Sequence, residues 1–392
     1  MSKINRDPAR PEWDQSAPRE APFQYSDAFV GLRATGRFAS YTTADTWYPS
    51  WAADDKLYTP FTDGNANGVH AMSIGDKATT GFATIVGDDP LDLQIQDAGV
   101  RVASAEPYGG RYPSASLMHD GTWYYGTYAL SDRGRGLNWD VLGPFVGFRT
   151  SGDGGLTWED GPWTPSNPLF GESGLGEEPV RFGAPHFVDF GRNMEHSPDG
   201  YAYMVAHGST SSTARLSWIS GDDVFLCRAR PGADTINDPG SWSFYGGKSA
   251  DGEERWVDEV RRAHPIASWP GHMGCVTVTY VPGLARYLMC VTDGWPTIKE
   301  MNSYVLEAVS LTGPWRLVSY MEDFGKQAYF LTFPSRFLSD DGTTGWLSYS
   351  ANFTNSFLHP TIEADPVGSR YGMCLLEVKF VALPGLEERA HR

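Results

Sequence analysis

The stretch YPSASLMHDGTWYYGTYAL, residues 112–130, places an apolar strand and an aromatic-rich strand on either side of a short turn. The same order, beginning with a small or aromatic residue, recurs in four other segments of the chain. The segments start roughly 60 to 90 residues apart, about the length of a four-stranded antiparallel blade with its loops. Five such units predict an all-β fold, a five-bladed β-propeller of four-stranded antiparallel blades. The other segments are YPSWAADDKLYTPF (48–61), APHFVDFGRNMEHSPDGYAYMVAHG (184–208), HMGCVTVTYVPGLARYLMCVTDG (272–294) and FPSRFLSDDGTTGWLSYSAN (333–352).

Composition agrees with this interpretation. The chain contains 44 glycines and 27 prolines, and its apolar runs are short, which favours strands joined by turns over long helices. We expect the charged stretch 251–265 to be a decorated loop, although it is the one plausible helix. The ring is expected to close by pairing residues 28–41 with residues 372–383, which leaves few exposed sheet edges. This gives an N-terminal arm (1–24), one propeller domain (25–385) and a C-terminal tail (386–392).

One turn has a recognisable local motif. SGDGGLTW, residues 151–158, fits the S-x-D-x-G-x-T-W turn called an Asp box. In such a turn Asp153 accepts amide protons, Gly155 takes a positive φ and Trp158 packs beneath. The motif indicates a blade hairpin and carries no chemistry.

Charge and composition limit the partners. A formal net charge of −17 would repel a phosphate backbone, so nucleic acid is not an expected partner. No apolar run reaches the length of about 18 residues that suggests a membrane span. The charged, proline-rich N-terminus is not a secretory signal, so we expect a cytoplasmic protein unless a leader was removed. A homo-oligomer is left open. The cysteines are expected to be buried free thiols, and these are Cys227, Cys275, Cys290 and Cys374.

The first repeat carries the most suggestive pair of residues. In ADTWYPSWAADDKLYTPFTDG, residues 44–64, a turn at Asp54–Asp55 would pair Asp45 with Asp63, unless a bulge shifts the register by one. Carboxyls about 5 Å apart repel one another when both are ionised, and this raises one pKa. One protonated and one ionised carboxyl suit a glycosidase. The alternative is that both aspartates are turn or capping residues bonded to backbone amides.

The other blades are expected to bring polar or aromatic side chains to the same end of the ring, where a propeller binds ligands. For example, a turn at Pro282–Gly283 pairs His272 with Asp293. Each of these residues has a structural alternative, because propellers also fill their blade interfaces with aromatic rings. No metal or other cofactor is predicted, because the oxygen and histidine ligands lack a metal-binding spacing. The candidate substrate-binding residues are Trp47, Arg111, Tyr112, His186, His207, His272, Asp293, Trp295, Arg336 and Tyr349.

On these repeats and this aspartate pair, the chain resembles the five-bladed propeller glycoside hydrolases, the arabinanase and fructosidase-like superfamily, over about residues 25–385. It is most similar to the endo-D-arabinanase branch, and that resemblance implies Asp45 and Asp63 as the catalytic pair. Better-known branches carry three acids, on blades one, two and three. Here Arg111 and Tyr112 stand where the blade-two aspartate is expected. Glu178, or Glu177, of GEEPVRFGAPHF is the candidate for the distal acid, in which case Asp45 and Glu178 would work together.

The sequence therefore predicts a glycoside hydrolase that cleaves a furanoside, such as an arabinofuranoside, or a related glycan, with carbohydrate as its partner. Two alternatives stay open. A sialidase-like or lyase-like propeller would use Arg111, Arg181 and Arg336 to bind a carboxylate. A carbohydrate-binding propeller would keep the aromatic rim without needing a close acid pair.

Overall fold

Five antiparallel sheets form a ring around a central axis, in a computed structural model that describes residues 11–132, 139–175, 178–294, 301–355 and 361–383. The predicted all-β five-bladed propeller is confirmed. The first two strands, β1 (Trp13–Asp14) and β2 (Phe29–Tyr41), join the last blade. Blade one and its extra hairpin comprise β3 (Ser50–Trp51), β4 (Leu57–Phe61), β5 (Gly64–Ala66), β6 (Val69–Ala71), β7 (Thr79–Val86) and β8 (Gln94–Val102).

Blade two has fewer than four strands, and blade three has more. Blade two has three strands, β9 (Gly110–His119), β10 (Thr122–Ser131) and β11 (Val141–Ser151). A single bridge from Thr150 to Glu159 stands where a fourth strand would lie. Blade three comprises β12 (Gly183–Phe187), β13 (Ala202–Gly208), β14 (Asp223–Ala229), β15 (Ser243–Lys248), β16 (Glu254–Val257) and β17 (Ala267–Ser268).

Blades four and five complete the ring. Blade four comprises β18 (Val276–Val281), β19 (Arg286–Asp293), β20 (Asn302–Ala308) and β21 (Arg316–Met321). Blade five comprises β22 (Tyr329–Thr332), β23 (Thr344–Ser350), β24 (Met373–Ala382) and β2. The inner strand β22 ends just before residue 333, so the predicted fifth repeat starts a few residues too late.

The N-terminal strand closes the ring, as predicted. Strand β2 pairs antiparallel with β24 from Phe29 opposite Ala382 to Tyr41 opposite Met373. Gln15, in the arm before β2, donates from its side-chain amide to the carbonyls of Phe29 (2.9 Å) and Leu317 (3.0 Å). Because Leu317 belongs to blade four, this arm ties blade five to its neighbour.

Helical structure in the described residues is limited to six 3₁₀ turns. The charged stretch 251–265 contains strand β16 and one of these turns, so it is not an α-helix. No described helix is long and apolar enough to cross a membrane. The four cysteines are buried free thiols, as predicted. The 3₁₀ turns are Arg192–Met194, Pro239–Ser241, Val260–Arg262, Pro282–Leu284, Ser335–Phe337 and Phe353–Asn355.

The turn after β11 has the bonding expected from its sequence. The carboxylate of Asp153 accepts the amide of Thr157 at 2.9 Å and the hydroxyl of Ser151 at 2.8 Å. Gly155 has a φ of 97°, and the ring of Trp158 packs on that of Trp123 at 5.1 Å. The turn therefore anchors the end of blade two with local contacts.

Candidate active site

A cavity opens at one end of the ring and contains both aspartates of the first hairpin. Its volume is about 450 Å³, including the space open to solvent at its mouth. The described residues that line it are Asp45, Asp63, Ile74, Tyr112, Tyr128, Leu130, Trp139, Trp218, Phe330, Phe353 and Tyr371.

The two acids reach the cavity through a bulged register. Asp45 lies opposite Thr62, not Asp63, whereas Ser50 lies opposite Tyr58. The hairpin therefore slips by one residue between these pairs, which is the shift that a bulge causes. In a regular strand, residues 62 and 63 would point to opposite faces. Asp63 has a φ of 50°, and this left-handed conformation breaks the alternation and lets its carboxyl face the same cavity.

Asp45 is held at the floor of the cavity by hydroxyl groups. Its Oδ2 accepts the phenol of Tyr329 at 2.7 Å, and its Oδ1 accepts the hydroxyl of Thr46 at 2.8 Å. Burial raises the pKa of Asp45 well above its usual range, and the charge of Asp63 raises it further. The hydroxyl donors lower the pKa without cancelling the rise. Asp45 is therefore the carboxyl that keeps its proton.

Asp63 has stronger support for its ionised form. Its Oδ1 accepts the amide of Ser73 at 2.7 Å, and the hydroxyl of Ser73 lies 2.8 Å from Oδ1 and 2.7 Å from Oδ2. Burial raises the pKa of Asp63, and these bonds from Ser73 counter the rise. The phenol of Tyr371 donates to the backbone carbonyl of Asp63 at 2.8 Å and fixes the turn.

The two environments separate the acids chemically. Each acid lies beside the other, but their hydrogen-bond donors differ. Among the contacts described, Asp45 accepts bonds only from hydroxyls, whereas Asp63 also accepts a bond from a backbone amide. A pair whose pKa values are pushed apart can supply one proton donor and one carboxylate at the same pH. The cavity can thus perform general-acid chemistry together with nucleophilic or general-base chemistry.

Three other predicted residues are buried, and of these only Tyr112 lines the cavity. Tyr112 lines the cavity, 5.6 Å from the ring of Tyr128. His186 is buried with its ring 3.7 Å from that of Tyr48, and neither ring nitrogen has a protein partner. His207 is also buried, with Nε2 2.8 Å from the carbonyl of Ser217. Burial lowers the pKa of both histidines, to about 4 for His207, so both are neutral.

Two predicted aromatic residues fill blade cores instead of lining the cavity. Trp47 is buried and stacks on Phe61 at 5.4 Å, and its indole donates to the carbonyl of Ala44. The phenol of Tyr349 lies 2.7 Å from the hydroxyl of Ser369, inside blade five. These two aromatic rings therefore pack in the protein interior, which is the alternative to substrate binding given above.

The arginines do not converge on the cavity. Arg111 is adjacent to Tyr112 but faces the other way, donating to Thr127 at 2.9 Å. Arg336 lies at the far end of the first hairpin, where it bonds Asp55 and reaches Asp88 at 2.6 Å. Arg181 is likewise absent from the lining. Among the described residues, none that lines the cavity is basic.

The predicted contact of His272 with Asp293 is present, yet it lies apart from the cavity lining. Nδ1 of His272 is 3.0 Å from both carboxylate oxygens of Asp293, and the phenol of Tyr320 donates to Oδ2 at 2.9 Å. The bond to Asp293 raises the pKa of His272. Trp269 stacks on the imidazole at 4.2 Å, and neither His272 nor Asp293 lines the cavity. Trp295 lies outside the described residues.

The predicted distal acid is also displaced. Glu178 is exposed and does not line the cavity. Glu177 lies outside the described residues. From the same loop, Glu172 accepts the amides of Arg181 (2.8 Å) and Phe182 (2.9 Å), and burial raises its pKa to about 7. Glu172 is not in the lining either, so only Asp45 and Asp63 bring carboxyls to the cavity among the described residues.

Several residues that line the cavity or bond its acids are not predicted by the sequence. Tyr329, which bonds Asp45, and Phe330 precede the predicted fifth repeat by only a few residues, and an earlier start would have included them. Trp218 and Tyr371 lie in loops outside the repeated strands, where the repeat pattern gives no signal. No group of three His, Cys, Asp or Glu side chains that could hold a metal ion occurs in the described ranges.

Comparison with known proteins finds similar solved structures, whereas no family model and no curated protein matches the chain. A crystal structure of a candidate hydrolase from Bacteroides ovatus aligns with a TM-score of 0.51 and 12% identity, over 96% of this chain and 95% of that one. A family 117 glycoside hydrolase of Zobellia galactanivorans gives 0.45 and 12%, over 91% and 92%. An exo-1,5-alpha-L-arabinanase from a bovine ruminal metagenomic library gives 0.43 and 13%, over 87% and 95%. The chain thus shares its fold with the Bacteroides ovatus protein, and glycoside hydrolases are among the solved structures that resemble it.

Proposed function

We propose that the protein is a glycoside hydrolase that cleaves a furanoside, such as an arabinofuranoside, or a related glycan. The observation that carries this proposal is the placement of Asp45 and Asp63 in one aromatic cavity with different hydrogen-bond partners. A glycosidase needs one carboxylic acid and one carboxylate on either side of the bond that it cleaves.

Asp45 is the proposed general acid. Its raised pKa keeps a proton available for the leaving oxygen of the glycoside. Asp63 is the proposed carboxylate, which either attacks the anomeric carbon or activates a water molecule. In the first case the proton moves from Asp45 to the leaving alcohol as the bond from Asp63 forms, and water later releases the sugar. In the second case Asp63 takes the proton of the attacking water.

Unpaired polar atoms in the wall support a carbohydrate ligand. The hydroxyl of Tyr128 and the indole nitrogen of Trp218 are buried without a protein partner, and both residues line the cavity. A buried donor without a partner costs free energy, about 1–3 kcal/mol, so such atoms are expected to meet a ligand or water. Sugar hydroxyls supply the acceptors, and the surrounding rings supply flat apolar faces.

Neither alternative function explains the site as well. A sialidase-like enzyme would need basic residues around its substrate carboxylate, and the described arginines lie elsewhere. A binding propeller has no use for two acids side by side in one cavity, because their mutual repulsion makes the ionisation of both costly. The acid pair therefore favours catalysis.

A panel of nitrophenyl furanosides and pyranosides, including both enantiomers of arabinofuranose, tests the proposal. We expect at least one furanoside to be hydrolysed, and Asp45→Asn or Asp63→Asn to lower kcat by about a thousandfold or more. Asp258→Asn is the matched control, because the side chain of Asp258 is 84% exposed and lies outside the cavity lining. Wild-type rates in both cavity variants, or no turnover of any member of the panel, would overturn the proposal. Sugar binding that is lost in Asp45→Asn, with no turnover by the wild type, would instead identify a binding protein.

A further inference from the structure

The wall of the cavity is unusual in how its polar atoms are distributed. Apart from Asp45 and Asp63, the nine other described residues that line it are aliphatic or aromatic. Their free hydrogen-bonding atoms include the hydroxyl of Tyr128 and the indole nitrogen of Trp218. Tyr128 is fully buried, and burial raises the pKa of its phenol, while the charges of Asp45 and Asp63 raise it further. The buried part of the cavity can therefore form hydrogen bonds with a ligand.

Among the described residues that line the cavity, the two most hydrophobic side chains with exposed surface are Ile74 and Phe353. Ile74 is 39% exposed, Phe353 and Asp63 are partly buried, and the other described lining residues are buried. The backbone of Ile74 bridges to Gly110 on blade two, which holds the side chain at the rim. The ring of Phe353 packs 5.6 Å from Trp218 and 5.7 Å from Tyr329. These contacts fix two hydrocarbon surfaces at the opening of the cavity.

We propose that the substrate is a neutral glycoside with an apolar leaving group, alkyl or aryl, that lies between Ile74 and Phe353. This inference rests on the proposed function of the same site. The sugar ring occupies the deep part, beside Asp45, Asp63 and Tyr128, and the leaving group extends toward the mouth.

Two physical arguments favour this assignment over an oligosaccharide. A second sugar at the mouth would place several hydroxyls against Ile74 and Phe353, which offer no side-chain hydrogen-bond partner, and each lost bond to water weakens binding. An alkyl or aryl group at the same place gains from leaving water, in proportion to the apolar area that it buries. An anionic substrate is disfavoured as well, because the described lining holds two acids and no basic residue.

The test compares the binding of hexyl and methyl α-D-arabinofuranoside to the Asp63→Asn protein by titration calorimetry. The two probes share their sugar and linkage, so their difference reports only the added hydrocarbon. We expect the hexyl compound to bind about tenfold more tightly or better. Ile74→Asn should reduce this preference to less than about threefold, because the rim loses its hydrocarbon surface. Val102→Asn is the control, since Val102 is 74% exposed on the outer strand of blade one.

The outcomes separate this inference from the proposed function. Equal or weaker binding of the hexyl compound, or a preference that Ile74→Asn leaves unchanged, overturns the inference even if the wild type hydrolyses furanosides. A hexyl preference that Ile74→Asn removes supports it. If the wild type hydrolyses no glycoside while this preference is observed, the hydrolase proposal fails and the apolar site remains.

Discussion

The phenol of Tyr329, on the inner strand of blade five, donates a hydrogen bond of 2.7 Å to Oδ2 of Asp45 on blade one. The bond crosses the seam between the last and first blades of the ring. The protonation of the proposed general acid is therefore coupled to ring closure, because the donor reaches Asp45 only when these two blades are packed together.

Tyr329→Phe tests this coupling. Removing a donor to the ionised carboxylate raises the pKa of Asp45, so the alkaline limb of the pH–kcat profile should move to higher pH. We also expect a loss of stability of about 1 kcal/mol, the typical contribution of one hydrogen bond. Tyr349→Phe is the matched control, because it removes a buried phenol of the same blade that bonds Ser369. An alkaline limb that moves equally in both variants would contradict the coupling.

The raised pKa of Asp45 also predicts how stability depends on pH. An unfolded aspartate ionises near pH 4. The folded protein therefore binds more protons at Asp45 than the unfolded chain does above that pH, and the free energy of unfolding falls as pH rises. The fall ends once Asp45 ionises in the folded protein. Asp45→Asn should remove this contribution, so its stability relative to the wild type should increase from pH 4 toward alkaline pH. Denaturant unfolding of both proteins across this range gives the measurement, and a constant difference would show that the pKa is not raised.

Ser73→Ala tests the other carboxyl. The variant removes the hydroxyl that lies 2.7–2.8 Å from both oxygens of Asp63 and leaves the amide bond in place. Because the lost bonds favour the ionised form, the pKa of Asp63 should rise, and the acidic limb of the pH–kcat/KM profile should move to higher pH. Ser114→Ala removes a buried hydroxyl that has no hydrogen-bond partner in the structure, so it serves as the control. An unmoved acidic limb in Ser73→Ala would remove Asp63 from the role of the essential carboxylate.

The fold and the acid pair were predictable because both depend on local pairing. Alternating strands and turns define each blade, and the turn at Asp54–Asp55 brings residues 45 and 63 near one another even with a slip of one residue. Closure by β2 and β24 followed from the two unpaired strand patterns at the chain ends. The blades and the first hairpin are encoded by neighbouring residues, whereas closure pairs strands at opposite ends of the chain and was inferred from the repeat architecture.

Residues whose position depends on local backbone conformation or on repeat boundaries were not predictable in the same way. Trp47 would share the face of Asp45 in a regular strand, but Thr46 between them has a φ of 68°, and the indole enters the blade core. The sequence pattern predicts Arg336 at the cavity only if the fifth repeat begins at residue 333, which is after the inner strand has ended. With the inner strand at Tyr329–Thr332, Arg336 falls past its end, beside the opposite turn.

Gly64 is expected to be essential for placing Asp63. A Cβ atom at Gly64 would lie 1.8 Å from the carbonyl oxygen of Thr43, and this backbone atom cannot move aside cheaply. Gly64→Ala should therefore displace the turn that carries Asp63, lowering the free energy of unfolding by about 2–4 kcal/mol and abolishing most of the activity. Gly68→Ala separates the clash from backbone strain, because Gly68 has a φ of 79° and no atom lies within 4 Å of the position that an alanine methyl group would take there. That control should lose only about 1 kcal/mol and keep its activity. Equal losses in the two variants, measured by denaturant unfolding, would show that backbone conformation and not the close approach to Thr43 fixes the turn that carries Asp63.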